Sequence, residues 1–143
     1  MAMDRVLLVD DEVVFLEALA ERLRIRGLEV VCAASGREAL ILVEEQTFDA
    51  VVLDLSMPGL DGIETLRRLR QMQPELQVMI LSGRATVQTA VEATRLGATD
   101  IFEKPTDVET LVQRIRSARA ARLAHEQEVA QEAIDDIMRT KGW

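Results

Sequence analysis

The segment RVLLVDDE (residues 5–12) closes a run of apolar, largely branched residues with three consecutive acids, Asp10, Asp11 and Glu12. Three further segments carry a polar group directly after an apolar run: Asp54 in VVLDLSMPGLDG, Ser82 in ILSGRA and Lys104 in FEKP. Each alone reads as a turn or cap residue, and Lys104 before Pro105 as a solvated turn lysine. Brought together they form a chemical set. Clustered carboxylates resist joint ionisation unless a cation joins them. Lys104 offsets one charge, and a hard divalent ion such as Mg2+ would offset the rest, since it takes carboxylates, carbonyl oxygens, waters and phosphoryl oxygens. Paired His and Cys ligands for zinc are lacking, because the chain holds one of each. A carboxylate beside Mg2+ and an ammonium suits covalent phosphoryl transfer: the carboxylate attacks phosphorus while cations hold the charge on the equatorial oxygens. Ser82 would donate a hydrogen bond to one of those oxygens.

The elements around these residues predict that they meet. Five apolar runs recur along the chain: RVLLVD (5–10), LEVVCA (28–33), AVVLDL (50–55), QVMILS (77–82) and TDIFEK (99–104). Dense in Val, Ile and Leu, they read as strands covered on both faces of a parallel sheet. Amphipathic stretches separate them. Phe15, Leu16, Leu19, Leu23 and the stem of Arg26 follow helical spacing, and Gly27 supplies a stop. Ser35 with Glu38, Asp61 with Glu64 and Thr106 with Glu109 have capping-box spacing. A further helical stretch, ATVQTAVEATRLG, stops at Gly97. Alternating strands and helices predict an α/β fold, a doubly wound five-stranded parallel sheet with right-handed crossovers. The functional crevice of such sheets lies beyond the carboxyl ends of the strands. Four of the five strands end there in polar or charged groups; the second ends at Ala33 and Ala34.

Composition narrows the function classes. The 143 residues suit one domain, and the net charge of −8 disfavours direct nucleic-acid binding. No apolar run approaches the roughly 20 residues of a membrane span. The first residues lack the apolar region and cleavage site of a signal peptide, so a soluble, cytoplasmic chain is expected. The single Cys32 excludes an internal disulfide and reads as a buried small residue.

The segments LLVDDE, VVLDLSMPGLDGIE, MILSGRA and DIFEKP, in this order, closely resemble the receiver domain of two-component response regulators over about residues 4–120. The resemblance implies strand order 2-1-3-4-5 in a flavodoxin-like receiver fold with five surrounding helices. It implies that Asp54 is the phosphoacceptor, supplied by the phosphohistidine of a sensor histidine kinase or phosphotransfer protein, or by a small phosphodonor. Asp11 matches the direct Mg2+ ligand, Asp10 a ligand acting through water, and the backbone carbonyl of Ser56 the third protein ligand. Lys104 matches the residue that pairs with the phosphoryl group. Ser82 matches the hydroxyl that moves toward it, and Phe102 the aromatic that turns inward in response; from the residues alone Phe102 reads as a core aromatic. The peptide bond before Pro105 is expected to be cis. Ser56 and Arg84 occupy positions that bear on the lifetime of the aspartyl phosphate. The implied role is a signalling switch that promotes only its own phosphorylation and dephosphorylation. The competing reading, an Asp-phosphoenzyme hydrolase with an external substrate, usually carries Asp-x-Asp at its nucleophile, whereas Asp54-Leu55-Ser56 stands here.

Residues 121–143 are predicted to continue the last helix from Thr106 to about Met138, roughly 50 Å in all. Leu123, Ala130, Ile134 and Ile137 approximate a seven-residue pattern, interrupted by Gln127 and Lys141 at core positions. This helical extension reads either as a dimerising or partner-binding helix, or as a frayed tail or the linker of a longer regulator. A homodimer through the last strand–helix face is the other association expected. His125 reads as a solvated helix residue. The stretch ATVQTAVEATRLGATDIFEKP most resembles receivers attached to transcriptional activators.

Overall fold

The computed structural model describes residues 4–55, 61–83, 87–104 and 106–140. Strands and helices alternate: β1 (Arg5–Val9), α1 (Val13–Ile25), β2 (Glu29–Ala33), α2 (Gly36–Glu45), β3 (Ala50–Leu53), α3 (Gly62–Met72), β4 (Gln77–Ser82), α4 (Val87–Arg95), β5 (Asp100–Glu103) and α5 (Val108–Thr140). The five strands form one sheet in the order β2-β1-β3-β4-β5, every pair parallel. This is the order the resemblance implied.

Alternating residues of each strand feed opposite faces. Val6 and Leu8 of β1 join Val52, Met79 and Leu81 beneath α1 and α5, where Leu16, Leu19, Leu23, Leu111 and Ile115 complete the layer. Leu7 and Val9 join Val51, Leu53, Val78 and Ile80 beneath α2, α3 and α4, against Val43, Leu66, Leu69 and Ala93. The sheet is thus buried on both sides, which is why its strands read as continuous apolar runs.

Helix ends follow their local chemistry. Ser35 Oγ accepts from the Glu38 N–H, and Asp61 Oδ1 accepts from the Glu64 N–H. Gly27 adopts a φ of 89° just after α1, a conformation open to glycine at no steric cost. The capping pair expected at Thr106 and Glu109 is displaced. Helix α5 begins at Val108, Asp107 Oδ2 accepts from the Thr110 hydroxyl, and Glu109 instead pairs with Arg26 at 2.5 Å. The 33-residue α5 runs unbroken past residue 120 to Thr140, about 50 Å. No helix of the described residues is long and apolar enough to cross a membrane.

Candidate functional site

The parallel pairing places the carboxyl ends of β1, β3, β4 and β5 along one rim. Asp10 directly follows β1 and donates its N–H to Ala33 O; Asp54 follows β3 and donates to Val9 O. Ser82 ends β4, and its carbonyl accepts from the N–H of Lys104, just past β5. Asp10 and Asp54 are each 4% exposed and Ser82 is fully buried. The two carboxyls at the edge of an apolar sheet require electrostatic compensation within the site, and the hydroxyl a hydrogen-bond partner.

Carboxylate oxygens of Asp10, Glu12 and Asp54 all lie within 4.8 Å of one another. Lys104 Nζ stands among them, 2.6 Å from Asp10 Oδ2 and 3.5 Å from Glu12 Oε1. Asp10 Oδ1 accepts the Glu12 N–H at 2.9 Å, so both oxygens of Asp10 are engaged. Burial pushes the Asp10 carboxyl above its ordinary pKa, against the lowering effect of Lys104 and the Glu12 N–H. Burial pulls Lys104 down, but its hydrogen bond to Asp10 and the charges of Asp10, Asp54 and Glu12 outweigh this and hold the ammonium above its usual value. One ammonium among three acids leaves negative charge in excess. The donor set is all oxygen, with neither His nor Cys, and so fits a hard cation such as Mg2+.

The structure brings together Asp10, Asp54, Ser82 and Lys104 of the residues singled out in the sequence. Asp11 is exposed and lies outside the group of three close carboxylates, in which Glu12 stands instead. Side chains alternate along an extended chain, so burying Asp10 turns its neighbour outward. Glu12 occupies the N-cap position of α1 but makes no side-chain cap bond; its carboxylate faces Lys104. Its place in the acidic run was visible in the sequence, its direction was not. Phe15, read there only as part of an apolar helix face, has its ring centroid 4.2 Å from Lys104 Nζ. Phe102 is half-buried against the α1/α5 layer. Ser56, Arg84 and Pro105, with the expected Ser56 carbonyl ligand and cis peptide, lie outside the described residues.

Helix α3 abuts the end of β3 through Gly62, whose N–H donates to Leu55 O at 3.2 Å. A Cβ at this position would overlap Leu55 Cα and the Asp54 carbonyl oxygen, so only glycine permits the approach.

Residues 6–116 match the family model described as the response regulator receiver domain. The chain is 40% identical over 115 residues to the transcriptional regulatory protein ZraR of Escherichia coli K12, which covers 80% of this chain and 26% of that protein. It is 41% identical over 113 residues to the response regulator MprA of Mycolicibacterium vanbaalenii, covering 79% and 49%. The chain therefore spans half or less of the length of these curated relatives. A response regulator receiver domain protein from Clostridium thermocellum superposes with a TM-score of 0.81 at 31% identity, over 85% of this chain and 98% of that one. These likenesses favour the signalling switch over a hydrolase of external phosphoesters. By sequence, strand order and the arrangement of its strand ends, this chain belongs to the receiver domain family of two-component response regulators.

Proposed function

We propose that this chain accepts a phosphoryl group on Asp54 from the phosphohistidine of a sensor histidine kinase or phosphotransfer protein. The observation that carries this reading is the buried Asp54 carboxylate sharing one small site with Asp10, Glu12 and the Lys104 ammonium. An Asp54 oxygen forms the new bond to phosphorus as the phosphorus–nitrogen bond of the donor breaks, and the imidazole keeps the electron pair. Lys104 holds a developing equatorial oxygen, and Ser82 donates its hydroxyl to another. The resemblance assigns Mg2+ to Asp54, Asp11 and the Ser56 carbonyl, with Asp10 acting through water; Asp11, exposed beside the cluster of Asp10, Glu12 and Asp54, would have to turn inward to join them. The engagement of both Asp10 oxygens supports that indirect role. When bound, Mg2+ supplies positive charge that draws the phosphoryl oxygens to the acidic rim. Movement of Ser82 toward the phosphoryl group, followed by Phe102, would carry the change to the β5–α5 face.

The output we assign is protein association, either self-pairing or partner binding, through that face or the exposed end of α5. Direct contact with nucleic acid is disfavoured by the net charge of −8. ZraR bears the name of a transcriptional regulatory protein. Control of transcription by this chain would run through an output element that it contacts or is joined to.

The test is labelling with Mg2+ and acetyl phosphate, or a cognate kinase, in parent and Asp54→Asn proteins. The parent should acquire acid-stable, hydroxylamine-labile phosphate and the variant should not. Equal labelling of both would overturn the assignment.

A further inference from the structure

Among the described residues, Lys104 holds its ammonium against one neighbour that is not an acid. Its stem passes Gly83, where even an added Cβ would only reach contact distance, 3.7 Å from Lys104 Cδ. Its ammonium meets Asp10 and Glu12 on one side and the face of Phe15 on another, 4.2 Å from the ring centroid. Phe15 sits in the first turn of α1, packs against the α1/α5 layer and lines a narrow crevice shared with Asp10, Asp54 and Leu81. The ring is therefore held by the core as well as by the lysine. An aliphatic residue would satisfy the same core position. Only an aromatic ring adds a negative face that attracts a cation.

We propose that Phe15 is a positioning residue for phosphoryl transfer: its ring holds the Lys104 ammonium over the acidic rim before the phosphodonor arrives. This rests on Asp54 being the acceptor. Asp10 and Glu12 also attract the ammonium, but they cancel the charge that the transferred phosphoryl group requires. A ring bears no formal charge, so it localises the cation without neutralising it. The lysine then meets the developing equatorial charge from a prepared position and not from solvent, which lowers the reorganisation needed at the moment of transfer.

The experiment replaces Phe15 by Leu, by Tyr, and by phenylalanines carrying one, two and three ring fluorines, which weaken the negative face at nearly constant shape. Phosphorylation rate constants are measured at saturating Mg2+ and acetyl phosphate, with Mg2+ affinity measured separately by calorimetry. Phe15→Leu should slow the saturated rate by roughly 3- to 10-fold, as expected for loss of a partly buried cation–π contact. Phe15→Tyr should restore it, the fluorinated series should decline stepwise, and Mg2+ affinity should change less than about two-fold, a smaller effect than loss of a direct ligand's support. Independently of any donor, the Lys104 side-chain protons nearest the ammonium should show an upfield ring-current shift in NMR spectra that Phe15→Leu abolishes. A flat fluorine series, a Tyr variant as slow as Leu, or absence of the ring-current shift would overturn the proposal. If the parent takes no phosphoryl group while the ring-current shift is present, the functional reading falls and the rate claim with it.

Discussion

At the scale of single residues, the site is built from groups whose ionisation conflicts with burial. Asp10 shows this most clearly. Its carboxyl is 4% exposed, and burial raises its pKa above the ordinary value even with Lys104 at 2.6 Å. A carboxyl whose folded pKa exceeds its unfolded one costs stability when ionised. That cost is absent at pH values below the unfolded pKa and is fully present above the folded one. Asp10→Asn removes the charge and keeps an oxygen to accept the Glu12 N–H. In metal-free protein at neutral pH the variant should melt a few degrees higher than the parent, and the gap should close as pH falls through the raised Asp10 pKa. Thermal melts across the acid range check this. A gap independent of pH would show that something other than Asp10 ionisation sets it. Without the carboxylate, stabilisation by added Mg2+ should also shrink. The lost apo-state stability is what the cation- and phosphoryl-binding site proposed above would require.

At the scale of elements, α5 is the part of the molecule that does two jobs. Leu111, Val112, Ile115 and Ala118 bury its first half against the sheet. Its next turn is tied to the opposite pole from the acidic rim. Arg122 donates through Nε and Nη2 to Asp49 Oδ1 at 2.9 and 2.6 Å, and Asp49 Oδ2 accepts the Arg5 N–H at 2.8 Å. Asp49, just before β3, is buried at 3% exposure. His125 Nε2 lies 3.6 Å from Glu75 Oε2, so the helix stays against the body for another turn past Arg122. Removing one partner of a buried ion pair leaves the other charge uncompensated. Because Arg122 is partly exposed and Asp49 keeps the Arg5 N–H, Arg122→Ala should cost about 1–3 kcal/mol, below the range for a fully enclosed pair. Chemical denaturation gives that value. Amide exchange should rise across 121–140 while the β1 and β3 amides stay protected; unchanged exchange in this stretch would mean that the pair does not anchor the helix.

At the scale of the whole molecule, the acidic rim and the far end of α5 lie at opposite poles of one sheet. Beyond Arg122 the helix exposes Leu123, Val129, Ile134, Ile137 and Met138. Leu123, Ala130, Ile134 and Ile137 share one stripe at helical spacing, the opposite side carrying Glu128, Glu132 and Asp135. Such a stripe gains by pairing, and light scattering tests self-association, one of the two outputs proposed above. Phosphorylated parent protein should contain a larger species that Ile134→Glu with Ile137→Glu eliminates, with Asp54 labelling unchanged. A mass unaltered by phosphorylation and by the substitutions would remove self-association as the output and leave partner binding.

Much of this organisation is local and therefore legible in the amino-acid order. Buried parallel strands must be apolar throughout, helices must show an apolar face, and polar strand ends mark the rim, so RVLLVDDE, Asp54, Ser82 and Lys104 could be found in the chain itself. The periodicity of α5 likewise predicted a helix well beyond the sheet, though its start shifted from Thr106 to Val108 because Asp107, and not Thr106, bonds the first turn. Direction and partnership were decided only by tertiary structure. Consecutive acids do not reveal which one turns inward; the path from β1 into α1 buries Asp10, brings Glu12 to Lys104 and leaves Asp11 outside. Lys104 and Asp10 are 94 residues apart, and Arg122 and Asp49 are 73 apart. Contacts of that separation depend on strand order and on the rotational phase of each packed helix, and no local pattern encodes them.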